Sequence, residues 1–215
     1  MISVQSTWDT RDIAVGIIGV GRVGSQVAFG LVARGYPGRI LLYDSDKNKA
    51  KGECLDLQAA AGVMGRDYNI VGASEGMPCC DIYVLSLGEP SGGKPREGLY
   101  EVNGGLCKEV FRKVSGINPE AVCVVLTNPS HRIAQDGLDY FQTVTPCGRL
   151  LDGARHALEI TWGAHESLRT TSSYEETMAC KGFTAYGPAM EAVVLVERYL
   201  NIFKYKGYNN EKESP

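Results

Sequence analysis

A glycine-rich motif of the form G-x-G-x-x-G occupies residues 19–24. It directly follows the apolar run at residues 13–18, which is typical of a buried strand, and precedes a segment of helical composition. In that context the first glycine permits a tight turn, the second lets a pyrophosphate approach the backbone, and the third lets helix and strand pack closely. Amides at the start of the helix would face the phosphates, although a purely structural turn is the alternative. The residues predicted to bind a cofactor here are Gly19, Gly21, Arg22, Val23 and Gly24.

An acidic residue, Asp44, ends the second apolar run, about 20 residues beyond the glycine motif. A carboxylate at this position can bind both hydroxyls of an adenosine ribose, and it would repel a 2′-phosphate. The sequence therefore predicts NAD, and not NADP, as the cofactor. Arg22 either contacts the pyrophosphate or is exposed to solvent. Asp46 is interpreted as a solvated side chain.

Apolar runs and helical segments alternate along the first 150 residues. This alternation predicts an α/β fold with a doubly wound parallel sheet, a Rossmann domain with right-handed crossovers. Strands are predicted over residues 13–18, 39–43, 68–71, 81–86 and 121–126, with a short strand or turn at 143–146. Helices are predicted over residues 25–34, 47–61, 99–114, 133–141 and 150–162, and a glycine-rich loop over 88–98.

The remaining residues show no strand-rich segment. Residues 174–203 are predicted to be almost wholly helical, with an interruption at Gly187–Pro188, and residues 204–215 to form a frayed polar tail. We therefore divide the chain into an NAD-binding domain at 1–150 and a reduced, mainly helical segment for substrate binding or oligomerisation at 151–215. Apolar side chains spread around the last helix, which favours burial on more than one side and a homodimer. They are Val193, Val194, Leu195, Val196, Leu200 and Ile202.

The 215 residues carry a net charge of −3, with 44% hydrophobic and 22% charged side chains. This balance gives no basic surface for nucleic acid or an anionic membrane, and the longest apolar run, 121–126, is too short to span a bilayer. The seven cysteines have no metal-ligand spacing and are interpreted as reduced thiols, so no metal site is predicted. Since the sequence starts without a signal-peptide pattern, the cytoplasm is the expected location.

Further motifs follow one another along the chain. They are Lys51–Gln58 (K-G-E-C-L-D-L-Q), Ser86–Pro90 (S-L-G-E-P), Arg96 with Asn103 seven residues later, Thr127–Pro129 (T-N-P), Leu151–Arg155 (L-D-G-A-R) and Lys181–Thr184 (K-G-F-T). In this order they resemble the lactate/malate dehydrogenase family over roughly residues 12–203, with gaps. The resemblance implies an NAD-dependent dehydrogenase or reductase whose small substrate carries a carboxylate.

The resemblance also implies a role for each matching residue. Arg155 would bind the substrate carboxylate with its planar guanidinium, and Arg96 would polarise the reacting carbonyl when its loop closes. Asp152 would orient a histidine that acts as general acid and base. Asn128 would contact both nicotinamide and substrate, and Thr184 would line the substrate pocket. Gly88 would contact the cofactor. Ser91 lies at the position where members of the family select substrates by size and charge, and a serine there favours a substrate with a small side chain.

The pattern departs from the family at the histidine. The nearest match is His165 in G-A-H-E-S, only ten residues after Arg155, which is too short for the family's helix, loop and strand. The family's C-terminal sheet is also not apparent, so the sequence is interpreted as a shortened member lacking most of the substrate domain. Other candidate proton donors are His131, Tyr186, Lys94, water or a group from a neighbouring subunit.

Three hypotheses follow. The first is an oxidoreductase that transfers a hydride to or from a small 2-hydroxy or 2-oxo acid or a related imine, since both arginines are present. The second is a repurposed enzyme that keeps NAD as a bound prosthetic group without net redox. The third is a non-catalytic NAD-binding protein.

Overall fold

The structure, a computed structural model, describes residues 13–36, 38–67, 71–89, 96–147, 176–177 and 179–212. Side chains are described throughout these ranges except at 96–97 and 203–212. The predicted helix at 150–162 and the proposed domain boundary at residue 150 lie outside the described residues.

Six strands form one sheet in which every neighbouring pair is parallel. The order is β3-β2-β1-β4-β5-β6, so the direction of winding reverses between β1 and β4. In such a sheet ligands bind at the carboxyl ends of the strands next to that reversal. The strands are β1 (Ala14–Ile18), β2 (Arg39–Tyr43), β3 (Val71–Ala73), β4 (Ile82–Leu85), β5 (Val122–Val125) and β6 (Thr143–Pro146). The predicted α/β fold with a doubly wound parallel sheet is confirmed.

Helices cover both faces of the sheet, and each face has its own apolar core. One core contains side chains of α1, α2 and α5, and the other contains side chains of α3 and α4. Because β1, β4 and β5 are buried along their whole length, they appear in the sequence as continuous apolar runs. The helices are α1 (Gly24–Ala33), α2 (Lys47–Val63), α3 (Arg96–Ser115), α4 (Ser130–Gly137) and α5 (Tyr186–Lys212).

The last helix packs within its own chain. Val193, Val196 and Leu200 of α5 are buried in the core that also contains α1, whereas Ile202 is 48% exposed. The burial predicted for this helix is therefore supplied largely by α1 of the same chain. No helix in the described part of the chain is both long enough and apolar enough to cross a membrane.

Some predicted element boundaries are wrong. Helix α3 begins at Arg96, so the predicted loop ends before Gly98. Helix α4 spans Ser130–Gly137 and starts three residues earlier than predicted, because Pro129 is its N-cap and the buried Ser130 its first residue. The predicted interruption at Gly187–Pro188 is also wrong, since both residues lie in the first turn of α5, where a backbone N–H has no intrahelical partner to lose.

Three predicted ends also differ. Helix α2 continues to Val63, β3 continues to Ala73, and α5 is helical to Lys212 where a frayed tail was expected. The predicted strand residues 68–70 lie outside the described part of the chain.

Candidate functional site

The glycine turn, residues 19–24, connects β1 to α1. Gly19 has φ +91°, and a Cβ there would lie 2.5 Å from the carbonyl oxygen of Ser86. A Cβ at Gly24 would collide with the carbonyl oxygen of Gly19. A Cβ at Gly21, in contrast, would have Lys49 Nζ at 3.9 Å as its nearest neighbour. The protein's own packing therefore requires the first and third glycines, while the second leaves open space beside the turn, as an approaching phosphate would need.

Asp44 follows β2 and joins the glycine turn to the start of α2. Its Oδ2 atom accepts hydrogen bonds from Val20 N at 3.0 Å and Lys49 Nζ at 3.1 Å, and its Oδ1 accepts one from Asp46 N at 3.1 Å. Burial alone would raise the pKa of Asp44, but these hydrogen bonds and the Lys49 charge outweigh it and lower that pKa. The carboxylate is thus ionised at neutral pH and held at the turn. Its neighbour Asp46, interpreted from sequence as solvated, is exposed and also caps α2 by accepting from the N–H groups of Asn48 and Lys49.

The second wall of the site is built at the ends of β4 and β5. Asn103 of α3 is 1% exposed; its Oδ1 accepts from Glu89 N at 2.8 Å, and its Nδ2 donates to Asn128 O at 2.9 Å and to Glu89 O at 3.2 Å. Gly88 has φ +110°, and a Cβ there would overlap the Asn103 carboxamide. This one side chain therefore fixes the backbone after β4 and the backbone after β5.

Thr127 strengthens the same wall. Its hydroxyl accepts a hydrogen bond from Leu87 N at 3.1 Å and lies 2.8 Å from Leu87 O, to which it donates. The following residue, Asn128, is exposed at the carboxyl end of β5, where its carboxamide is accessible to a ligand. The predicted position of Asn128 beside a bound cofactor is consistent with this geometry.

A third wall comes from the segment before α5. The Arg22 guanidinium lies 4.5 Å from the ring centroid of Phe183, and Lys181 Nζ lies 4.5 Å from the same ring and 4.4 Å from the ring of Tyr186. These contacts bring the segment that contains the half-buried Thr184 close to Arg22 of the glycine turn. A cleft of about 550 Å³ between the turn, α2 and this segment is lined by Val20, Gly21, Arg22, Ser25, Gln26, Lys49, Glu53, Lys181, Phe183, Ala185 and Tyr186.

The structure brings most of the predicted cofactor-binding residues to one edge of the sheet. The glycine turn follows β1, Asp44 follows β2, Gly88 follows β4 and Asn128 follows β5, and these strands are hydrogen-bonded neighbours in the order β2-β1-β4-β5.

Several predicted catalytic and substrate residues are not described. Ser91, Asp152, Arg155 and His165 lie outside the described residues, as do the alternative Lys94 and the side chain of Arg96, although the backbone of Arg96 begins α3. Of the alternative proton donors, Tyr186 lines the cleft and is 67% exposed. His131 is the one histidine within the described ranges and is exposed on α4.

Sequence reasoning missed two contacts that shape the site. The Lys49 partner of Asp44 lies in the first turn of α2, where only the geometry of the β2–α2 connection brings it back to the acid. The carboxamide of Asn103 entered the sequence analysis only as a spacing marker. A buried asparagine within an amphipathic helix was the available signal, because a buried carboxamide needs hydrogen-bond partners.

The sheet order, the glycine turn and the acid after β2 define a dinucleotide-binding protein of the Rossmann type. The chain belongs to the lactate/malate dehydrogenase family, and residues 13–141 match the family's NAD-binding domain. The predicted family is therefore confirmed, and with it NAD as the cofactor of this domain.

Similar proteins support the same assignment. The chain is 34% identical to the malate dehydrogenase of Sulfurimonas denitrificans over 152 residues, which are 66% of this chain and 47% of that protein. It is 29% identical to the malate dehydrogenase of Syntrophotalea carbinolica over 196 residues, which are 87% of this chain and 58% of that protein. The chain thus spans about half the length of these relatives.

Solved structures agree. The malate dehydrogenase of Archaeoglobus fulgidus in complex with NADH superposes with a TM-score of 0.70 and 25% identity, covering 86% of this chain and 76% of that one. A minor L-lactate dehydrogenase of Enterococcus mundtii shares the fold with a TM-score of 0.72 at 20% identity, over 88% of this chain and 78% of that chain.

Proposed function

We propose that the chain is an NAD-dependent oxidoreductase acting on a small 2-hydroxy or 2-oxo acid or a related imine. The observation that carries this proposal is the convergence at one sheet edge: the glycine turn, Gly88 and Asn128 meet there, and the Arg22–Phe183 contact adds the segment with Thr184. The family order also keeps Asn128 and Thr184, which we propose to face the substrate and which a protein that only bound the dinucleotide would not need.

The cofactor would be held by the described residues. Backbone amides at the start of α1 would bind the pyrophosphate, the ionised Asp44 would accept hydrogen bonds from the adenosine ribose, and Asn128 would contact the carboxamide end. The open space beside Gly21 and the acceptor atoms of Asp44 fit such a group. When bound, NAD supplies the hydride acceptor or donor.

The substrate roles rest on the family order of the residues. Arg155 would clamp the carboxylate, Arg96 would polarise the carbonyl, and Asp152 would orient His165 as the acid and base. Arg96 begins α3 two helical turns before Asn103, so the buried hydrogen bonds of Asn103 anchor the helix that carries it. Ser91 and Thr184 would line the pocket for the substrate side chain.

A substrate panel tests the proposal. Purified protein is mixed with NADH and a series of 2-oxo acids and cyclic imines, and with NAD and the corresponding 2-hydroxy acids, while absorbance of the reduced nicotinamide is followed. We expect turnover with at least one small substrate and its loss in Arg155→Ala. Binding of NADH without turnover across the panel would instead support a non-catalytic NAD-binding protein. Stoichiometric NAD in the purified protein, regenerated within each turnover, would support a prosthetic role.

We further propose a homodimer in the cytoplasm. Phe29 of α1 and Met190 of α5 are 44% and 39% exposed, and Met190 packs beside Gly30, the neighbour of Phe29, with its Sδ 3.4 Å from a Cβ placed at that glycine. An apolar surface of this kind fits a second copy of the chain. All seven cysteines are free thiols, which suits a reducing compartment. A mass in solution near the 23.3 kDa of one chain would contradict the dimer.

A further inference from the structure

A cluster of polar side chains joins α3 to α4 on the face of the sheet opposite α5. The hydroxyl of Tyr100, on α3, donates a hydrogen bond to Asp136 Oδ2, on α4, at 2.6 Å. The Arg132 guanidinium, one turn earlier on α4, lies 3.8 Å from the centroid of the Tyr100 ring. The Lys108 ammonium of α3 lies 3.4 Å from the same Asp136 oxygen. Tyr100 therefore contacts both a hydrogen-bond acceptor and a cation of α4.

The spacing of residues on each helix suits this contact. On α3, Tyr100, Gly104 and Lys108 are four residues apart, and on α4 Arg132 and Asp136 are also four apart. Residues at this spacing lie on one side of a helix, so the two sets can meet along the line where the helices pack. A Cβ at Gly104 would lie 3.0 Å from Cε2 of the Tyr100 ring, and the glycine thus leaves room for the ring.

The chemistry of the contact makes it stronger than an ordinary surface pair. A hydrogen bond from a hydroxyl to a carboxylate is roughly twice as strong as one between neutral groups, and the Asp136 side chain is only 20% exposed. The Arg132 guanidinium over the ring adds a cation–π attraction. The Tyr100 ring also packs against the apolar core that α3 and α4 share. Tyr100 is therefore held from several sides and has little freedom to move relative to α4.

This contact lies between two parts of the proposed active site. Arg96 begins α3 one helical turn before Tyr100, and Asn128 lies just before α4. In this first part of α3, Leu99 supplies apolar burial, and Tyr100 supplies the polar contact to α4. The hydrogen bond from Tyr100 to Asp136 therefore helps to set where α3 starts relative to the turn at Asn128.

We infer that Tyr100 is a positioning residue, which acts through Asp136 to hold the backbone at Arg96 in a fixed place relative to Asn128. The role of Arg96 rests on the proposed function, whereas the contact between α3 and α4 does not. A small displacement of a group that stabilises the transition state lowers the rate strongly, so loss of the Tyr100 hydroxyl affects kcat. Nucleotide affinity depends instead on the glycine turn and Asp44.

The test compares Tyr100→Phe with Tyr140→Phe. Both remove one tyrosine hydroxyl, but the Tyr140 ring lies just after the end of α4 and stacks on Phe111 at a centroid distance of 5.9 Å. With the best substrate of the panel, we expect Tyr100→Phe to lower kcat by roughly threefold to tenfold and to leave the KM and the dissociation constant of NADH unchanged. Tyr140→Phe should leave all three quantities unchanged.

The acceptor of the hydrogen bond is tested in the same way. Asp136→Ala should lower kcat by about the same factor as Tyr100→Phe, and the double variant should be no slower than either single variant, because both changes remove one interaction. Asp136→Asn keeps an oxygen that can accept from the Tyr100 hydroxyl, so most of the activity should be retained.

Amide hydrogen exchange distinguishes a failure of this inference from a failure of the proposed function. In peptides that cover residues 96–103, Tyr100→Phe should speed exchange severalfold, and Tyr140→Phe should not. An unchanged kcat in Tyr100→Phe would overturn the inference, as would a fall in kcat matched by an equal loss of NADH affinity, which indicates a general structural role. If no substrate of the panel were turned over, the proposed function would fail, and unchanged exchange in Tyr100→Phe would separately overturn the inference.

Discussion

The side chain of Asn103 donates a hydrogen bond of 2.9 Å from Nδ2 to the backbone oxygen of Asn128. The same carboxamide binds both the N–H and the carbonyl of Glu89, and Asn103 is only 1% exposed. Three chain segments therefore depend on one buried group: α3, the end of β4 and the turn after β5.

Replacing this group gives the first prediction. Asn103→Leu has a similar volume but leaves the N–H of Glu89 and the carbonyl of Asn128 without their partner, so we expect a loss of about 1–3 kcal/mol in the free energy of unfolding. We also expect weaker NADH binding, because Asn128 and Gly88 would shift. Urea denaturation and nicotinamide fluorescence measure the two effects. Glu101→Gln, an exposed change on the same helix, is the control and should alter neither quantity.

The glycine turn gives the second prediction, which separates structural from ligand-dependent glycines. Gly24→Ala places a Cβ on the carbonyl oxygen of Gly19, and this overpacking should cost about 1–3 kcal/mol or more of stability. Gly21→Ala meets no atom closer than 3.9 Å, so thermal unfolding should change little while NADH affinity falls at least about tenfold as the methyl group blocks the pyrophosphate. Unchanged NADH binding in a folded Gly21→Ala protein would contradict the placement of the cofactor.

The strands, the glycine turn and Asp44 could be predicted from the sequence, but the pairing of Asp44 with Lys49 could not. The strands were predicted because β1, β4 and β5 are buried along their whole length and appear as unbroken apolar runs. The motif spacing predicted the turn and Asp44 because they lie at the ends of β1 and β2. The pairing of Lys49 with Asp44 was not predicted, because it depends on the angle at which α2 leaves β2.

Helix boundaries show a further limit. Helix α4 begins at Ser130, whose hydroxyl donates to the carbonyl oxygen of Cys147 at 2.5 Å. That contact joins residues 17 positions apart, so no local pattern shows that Ser130 is buried at the start of a helix. The amphipathic pattern alone placed the start three residues too late.

The third prediction concerns Asp44 and pH. The hydrogen bonds of Asp44 lower its pKa below the ordinary value of 3.8. A carboxyl whose pKa is lower in the folded state stabilises the fold fully above the unfolded pKa, and this contribution is lost as the pH falls through the folded pKa. Asp44→Asn should therefore be less stable than the unsubstituted protein at neutral pH, and the difference should shrink below about pH 4.

Urea denaturation across this pH range measures the difference in the free energy of unfolding. A difference that grows on acidification would contradict the lowered pKa of Asp44. Asp46→Asn, which removes an exposed carboxylate while its amide oxygen can still cap α2, is the control for a general loss of carboxylate.

The fourth prediction concerns how α5 is held against α1. Arg34 of α1 pairs with Glu197 of α5 through Nε–Oε1 at 2.5 Å and Nη2–Oε2 at 2.9 Å, but the two side chains are 50% and 29% exposed. An ion pair this exposed contributes about 0.2–1 kcal/mol, and salt screens it. Val193, fully buried with its Cγ2 atom 2.8 Å from a Cβ placed at Gly30, contributes through packing that salt does not screen.

We therefore expect Val193→Ala to lower the free energy of unfolding by about 1–3 kcal/mol and Glu197→Gln by less than about 1 kcal/mol. In urea denaturation at high salt the effect of Glu197→Gln should shrink further, whereas that of Val193→Ala should persist. A larger loss from Glu197→Gln than from Val193→Ala would mean that the ion pair, and not the apolar contact, holds the helix.

The same substitution should also affect catalysis. Because Phe183 and Thr184 lie just before α5, weakening the contact at Val193 should raise the KM for substrate more than it lowers kcat.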